Sequence, residues 1–185
     1  MRPARHICAV LALWIGWGAA PARADDISLE QFFELVAVGA VHEVEAALEH
    51  QPFLATTYDD NGFSAVHVLD YSGFDQKLGH LQKWGANINA QNDEGHALMH
   101  IIIDPEFIPV AAAAGADVNL RDNAGRTPIM VHLLDPDRAD FVPALIDAGA
   151  DVRARDDSGR SVLDYALPHG IPELIHMLTS AGAVE

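Results

Sequence analysis

The chain of 185 residues holds one cysteine, Cys8, and only 11 Lys plus Arg against 27 Asp plus Glu. The formal net charge of −16 excludes a nucleic-acid binder working by bulk charge, because such proteins present Lys and Arg to phosphates and release counterions. There is no Asn-x-Ser/Thr sequon. No apolar run approaches the roughly 20 residues that a membrane-spanning helix needs. Half of the residues are apolar and 21% are charged, so the chain can bury a core and lacks the composition of a disordered segment. Its length fits one domain, or a small pair.

What is present begins with an N-terminal address. Residues 1–24 open on Arg2 and Arg5, run through an apolar block from Ile7 to Ala20, and close on Ala22-Arg23-Ala24. A basic head, a short apolar middle and small residues at a cleavage site define a secretory signal peptide, with an uncleaved anchor as the alternative. Cys8 follows Arg5-His6-Ile7, which is not the setting of an acylated lipoprotein cysteine. Cleavage after Ala24 removes Arg2, Arg5, Arg23 and Cys8 but no acid. Eight basic residues then face 27 acidic ones, a net charge of −19, and no disulfide can form. An alanine-rich, arginine-headed signal suits a bacterium, so the expected location is the periplasm, with no membrane association once the signal is gone.

From residue 28 onward the chain repeats itself. Four segments align on one glycine: Asp59-Asp60-Asn61-Gly62-Phe63, Asn92-Asp93-Glu94-Gly95-His96, Asp122-Asn123-Ala124-Gly125-Arg126 and Asp156-Asp157-Ser158-Gly159-Arg160. Their positions step by 33, 30 and 34, and those of the Gly-Ala pairs at Gly85, Gly115, Gly149 and Gly182 by 30, 34 and 33. Two ladders of one period mark a repeat architecture. Ser64, Thr127 and Ser161 are helix-capping residue types, and Pro128 sits where a first helical turn needs no donor. The glycine of each Gly-Ala pair ends a second helix, such as Phe141 to Ile146, where a left-handed residue is commonly required. Neither helix of a unit can bury its apolar face alone, so neighbouring units must stack.

These residues resemble the ankyrin repeats. Gly125-Arg126-Thr127-Pro128-Ile129 is similar to the Gly-x-Thr-Pro-Leu core of that family, and Ala113-Ala114-Gly115-Ala116-Asp117-Val118-Asn119 to its helix end and hairpin. The resemblance covers residues 28–185. It implies an all-α, ankyrin-repeat solenoid of about five helix-turn-helix units with β-hairpin fingers. The signal would occupy 1–24 and the repeat domain 25–185, with repeats at about 28–58, 59–91, 92–121, 122–155 and 156–185. In the first, Val38-Gly39-Ala40 is the inter-helix turn, Val44 to Leu48 lie in the second helix, and His50 to Leu54 replace the usual Gly-Ala-Asp turn. It also implies that His67 and His100 are structural, bonding between neighbouring turns. The interval His100 to Glu106 is shorter than its counterparts, which predicts a first helix one turn short in the third unit. Asp135-Pro136-Asp137 predicts a protruding turn, and Pro109 and Pro143 predict second helices that start late or run irregularly.

No nucleophile elbow, P-loop, dinucleotide fingerprint or zinc-protease motif is present, so the expectation is a protein without catalysis and without a cofactor. The rival is a metal-binding protein or enzyme built on His96, His100, Asp93 and Glu94; the repeat register, however, puts His96 in a turn and His100 on a helix. Asp135, Asp137 and Asp140 lack the glycine and terminal glutamate of a calcium loop and read as a solvated acidic turn.

Ankyrin-like proteins bind partners through finger tips and the exposed face of the first helices. That resemblance makes Tyr58, Asp60, Phe63, Tyr71, Asp93, Glu94, His96, Arg121, Arg126, Arg155, Arg160 and Tyr165 the candidate partner-binding residues. The first two tips are acidic and aromatic, whereas five of the eight remaining basic residues, Arg121, Arg126, Arg153, Arg155 and Arg160, fall on the last two. Arg and aromatic side chains dominate interface energetics, and complementary potentials set specificity and on-rate. The competing reading pairs these arginines with Asp122, Asp151, Asp156 and Asp157 beside them. The expected function is a monomeric, exported module that binds a protein, as an immunity or inhibitor protein against a toxic effector or as an accessory of a periplasmic enzyme in oxidative-stress defence. Export into a host as an effector is a third version.

Overall fold

A computed structural model describes residues 26–184; the expected signal at 1–24 lies outside them. The described residues are mostly helical: α1 (Leu29–Val38), α2 (Val41–His50), α3 (Phe74–Lys83), α4 (Leu98–Ile101), α5 (Ile108–Ala113), α6 (Pro128–His132), α7 (Phe141–Asp147), α8 (Val162–Ala166) and α9 (Pro172–Ser180). A four-residue 3-10 turn, Ala65–Val68, stands before α3 where the other segments have a short α-helix. Short first elements thus alternate with second helices. α1 packs on α2, α6 on α7 and α8 on α9, while α4 packs on α6 and α6 on α8 along the stack.

Helical spacing of apolar residues builds the core. Phe32 and Val36 of α1, Val44 and Leu48 of α2, and Leu78 and Leu81 of α3 are buried. Their three- or four-residue intervals place each pair on one stripe of its helix. The same cluster runs through Ile108, Ile129, Leu145, Val162 and Leu178. Burying each such side chain contributes about 1.5–3 kcal/mol, and none of these short helices would hold its shape without it.

Helix starts are fixed locally. Ser28 accepts from the Gln31 amide at 3.2 Å while Gln31 Oε1 accepts from the Ser28 amide at 2.8 Å. Ser161 and Asp164 repeat the exchange at 3.2 and 2.7 Å, so that two otherwise orphaned amides are satisfied at each start. Histidine takes the reciprocal place elsewhere: His67 Nδ1 accepts from the Ser64 amide at 3.0 Å and His100 Nδ1 from the Ala97 amide at 3.1 Å. Each Nδ1 is therefore unprotonated, and Nε2–H donates to the next finger, from His67 to the His96 carbonyl at 3.1 Å and from His100 to that of Arg126 at 3.4 Å. Burial pushes the His67 imidazolium down and holds His100 at about 4, with the neighbouring His96 adding to the effect.

One expectation is corrected. No β-strand forms among the described residues; the fingers are turns closed by backbone bonds, with isolated bridges only at Tyr58–Ser64 and Arg155–Ser161. Each finger is so short, and so fully bonded by its own Asp or Asn, that no ladder of strand pairs extends from it. The first helix of the third unit is short, α4 having four residues, as the Ala65–Val68 turn has, against five in α6 and five in α8, and a 3-10 turn at Pro105–Phe107 runs directly into α5. The second helices that hold Pro109 and Pro143 are short, six residues for α5 and seven for α7 against ten for α3.

Candidate functional site

Each finger is organised by one side-chain oxygen. Asp59 Oδ1 accepts from the amides of Asn61 and Phe63, both at 2.8 Å; Asn92 Oδ1 from Glu94 and His96 at 3.0 and 2.9 Å; Asp122 Oδ1 from Ala124 and Arg126 at 2.9 and 2.8 Å; and Asp156 Oδ1 from Ser158 and Arg160, both at 2.9 Å. Asp and Asn suit this place because their short polar side chains bond to backbone two residues on. The fingers join into one row through Asp93 N–H to the Asn61 carbonyl (3.0 Å), Asn123 N–H to that of Glu94 (3.2 Å) and Asp157 N–H to that of Ala124 (3.1 Å). Gly95 has φ +79° and a Cβ there would stand 2.5 Å from the Asn123 amide nitrogen. Both the backbone angle and the neighbour therefore demand glycine.

Most of the predicted face lies along this row. Tyr58, Asp60, Asp93 and Glu94 are exposed at the first two fingers, and half-buried Phe63 sets its edge against the His67 ring, centroids 5.4 Å apart. Tyr71 lies elsewhere. It is 57% exposed in the turn between Ala65–Val68 and α3, against Phe107 at 5.7 Å, away from the finger row.

The arginines are tied to their own scaffold. Arg121 Nη2 donates to the Arg155 carbonyl at 2.7 Å and to Asp157 Oδ1 at 3.3 Å. Arg126 Nε donates to Asp122 Oδ2 at 2.7 Å, Arg160 Nε to Asp156 Oδ2 at 3.0 Å, and Arg155 Nη1 to the Gly159 carbonyl at 2.8 Å. Tyr165, expected on the exposed helix face, is instead 4% exposed. Its hydroxyl donates to Asp156 Oδ2 at 2.7 Å and accepts from Arg160 Nη2, and the guanidinium lies over its ring at 4.4 Å. The ring is committed to holding the last finger, because Asp156 offers a charged acceptor within its reach. Burial works against the Asp156 charge, but hydrogen bonds from Ser158, Tyr165 and Arg160 outweigh it and hold the carboxyl well below the usual range. Burial and that same bond push Tyr165 up to about 12.

His96 stacks on His100 at 5.4 Å and 20°. Its Nδ1 stands 3.3 Å from Glu94 Oε2, and its buried Nε2 is 3.4 Å from Asp122 Oδ2 without a hydrogen bond. Both nitrogens of His100 are engaged with backbone, so a metal could take His100 only by breaking the helix start or the link to the next finger. Asp93, the third member of the suggested set, is exposed and sets its Oδ1 beside Gly62 of the preceding finger. Among the described residues no group of three or more His, Cys, Asp or Glu side chains is placed to hold a metal ion, and no helix is long and apolar enough to cross a membrane.

Several functional supports escaped the sequence reading. Asn89 spans to the next unit, Nδ2 to the Gly115 carbonyl (3.0 Å) and Oδ1 from the Asp117 amide (2.8 Å), and Asn119 does the same with Gly149 and Asp151 at 3.0 and 2.7 Å. Their shared place, four residues after a ladder glycine, was the available signal. Lys77 is fully buried, Nζ donating to the Val36 carbonyl at 2.8 Å at the end of α1, with Asp70 Oδ1 3.7 Å away. Burial pushes its amine down and Asp70 pulls it back. A lysine three residues after Phe74 and one before Leu78 falls on the apolar stripe of α3.

No family model matches the chain. Over 120 residues, 63% of its length, it is 27% identical to SH3 and multiple ankyrin repeat domains protein 2 of Homo sapiens. The matched stretch spans 6% of that protein. The chain is thus similar to a protein with multiple ankyrin repeats, and the resemblance carried by its glycine ladders has independent support.

Proposed function

We propose that the chain is an exported ankyrin-repeat module of five stacked units, bounded at about 28–58, 59–91, 92–121, 122–155 and 156–185, that binds a protein partner and performs no catalysis. Residues 1–24 direct it to the periplasm and are removed there. The observation that carries this reading is the bonded finger row: a rigid edge on which Tyr58, Asp60, Asp93 and Glu94 stand exposed while the fingers' own backbone groups are satisfied. A preorganised edge gives up little ordering entropy on association. Because Arg121, Arg126 and Arg160 hold neighbouring carboxylates and carbonyls, the contact weight shifts to the acidic, aromatic first two fingers. Their complement is a basic surface, such as the substrate cleft of a toxic enzyme that this chain covers as an immunity or inhibitor protein.

Affinity capture from a periplasmic extract of the source organism, read by mass spectrometry, tests the proposal. The expected result is one dominant protein retained by the wild-type chain and lost with Tyr58→Ala, Asp60→Lys and Asp93→Lys combined. Equal retention by the variant, with its helical circular dichroism unchanged, overturns the finger face. Stoichiometric transition metal in the purified protein would favour the metal-binding alternative.

A further inference from the structure

The edge opposite the finger tips, made by the turns between first and second helices, carries exposed apolar residues that the finger face does not use. Tyr71 (57% exposed), Leu134 (53%) and Leu167 (44%) occupy it in successive parts of the stack, with half-buried Phe107 against Tyr71. These turns are contiguous. Arg138 Nη1, between α6 and α7, donates to the Ile102 carbonyl between α4 and α5 at 3.3 Å, and His169 Nε2, between α8 and α9, to the Leu133 carbonyl at 2.7 Å.

Acids accompany every step of the row: Asp75, Glu106, Asp135, Asp137, Asp140 and Glu173, all exposed. Helix N-termini favour acids, which accounts for Asp75 and Glu173 locally, but not for the leucines beside them. The basic group of this edge, Arg138, is already committed to Ile102 and to His132 Nδ1 at 3.2 Å. The row is therefore apolar, anionic and uncompensated. An anionic membrane surface would be repelled by it, whereas a cationic apolar segment is complementary to it in both respects.

We propose that this turn edge is a second docking surface, distinct from the fingers, and that its occupant is a basic amphipathic helix of a partner protein. Helices pack roughly 8–10 Å apart, so successive turns present their apolar residues at about that spacing. Residues i and i+7 on a helix are about 10.5 Å apart at roughly 1.5 Å per residue, so leucines repeated every seventh position meet the row in register. Lysines flanking them face the acids.

The test uses a fluorescent synthetic helical peptide of about 20 residues, long enough to span ~30 Å, with leucine at every seventh position and lysine beside it. A peptide of identical composition in scrambled order serves as control. Fluorescence anisotropy against the intact chain is expected to show saturable binding of the patterned peptide, at least tenfold weaker with Leu134→Ser and Leu167→Ser combined. Asp137→Asn with Asp140→Asn, an exposed pair whose change leaves the core alone, weakens it similarly, and Tyr58→Ala leaves it unchanged. The proposal is overturned by equal binding of the scrambled peptide, by the absence of saturable binding, or by turn variants that bind as wild type. Sedimentation showing that the row is instead covered by a second copy of the chain, abolished by the leucine substitutions, also overturns it.

Discussion

The Tyr165 hydroxyl donates to the buried Asp156 carboxylate at 2.7 Å, joining the last short helix to the finger before it. Tyr165→Phe is expected to cost about 1.5 kcal/mol, as for a hydrogen bond to a charged acceptor. Its pH signature separates this role from partner binding. The folded value is raised from 10.0 to about 12. Above the lower value the unfolded chain releases the phenol proton while the folded chain keeps it, so stability falls as pH rises through that window. Denaturant titrations at neutral and alkaline pH should show the alkaline loss in wild type and its reduction in the variant.

Acid acts on the histidines in the opposite direction. Burial holds His100 at about 4 and His132 at about 3, with His67 also lowered, all from 6.5. Below the ordinary histidine value the unfolded chain takes up protons that the folded chain refuses, so stability declines as pH falls toward about 4. The loss by about pH 5 is up to about 2 kcal/mol for each of His100 and His132. Depressed Asp122 and Asp164 extend it below 3.8. Melting temperatures measured from neutral pH downward should fall before any carboxylate titrates; a flat profile down to the carboxylate range would contradict the buried, neutral assignments.

Two of the finger glycines, Gly95 and Gly159, should respond unequally to alanine. Both have positive φ, +79° and +85°, which an L residue adopts at a cost of about 1–2 kcal/mol. Only Gly95 also faces a neighbour, the Asn123 amide at 2.5 Å, whereas nothing stands within 4 Å of a Cβ on Gly159. Gly95→Ala is therefore expected to cost at least about 1 kcal/mol more, by denaturant titration, because it also breaks the link from Asn123 to Glu94.

Thr127 occupies the capping place of α6 with its hydroxyl buried and unbonded. Where the corresponding starts have His67, His100 or Asp164 to answer the cap, this one has Met130, which has no group to offer. Thr127→Val should raise stability by about 1 kcal/mol by removing the unsatisfied hydroxyl.

Much of the stack was legible because its signals are local. Gly62, Gly95, Gly125 and Gly159 set the finger turns, Ser161 starts α8, and the α1–α2 break falls at Gly39 and Ala40 as the sequence reading placed it. His67 and His100 also take the bonding places that the ankyrin resemblance implied. What escaped depends on residues far along the chain. Arg121 is drawn to Asp157 of the next finger, which converts a candidate contact residue into a strut. Tyr165 reads as an exposed helix position until Asp156 and Arg160 fold over it. Tyr71 shares a repeat with Phe63 in the sequence, yet the short Ala65–Val68 turn sends it to the opposite edge.

The finger face is tested most directly by isothermal titration of the captured partner against the wild-type chain and against Tyr58→Ala, Asp60→Lys and Asp93→Lys combined. A one-to-one complex is expected, with an affinity that drops at least a hundredfold in the variant and falls with added salt, while the variant keeps the melting temperature of wild type. Unchanged affinity in a folded variant would contradict it.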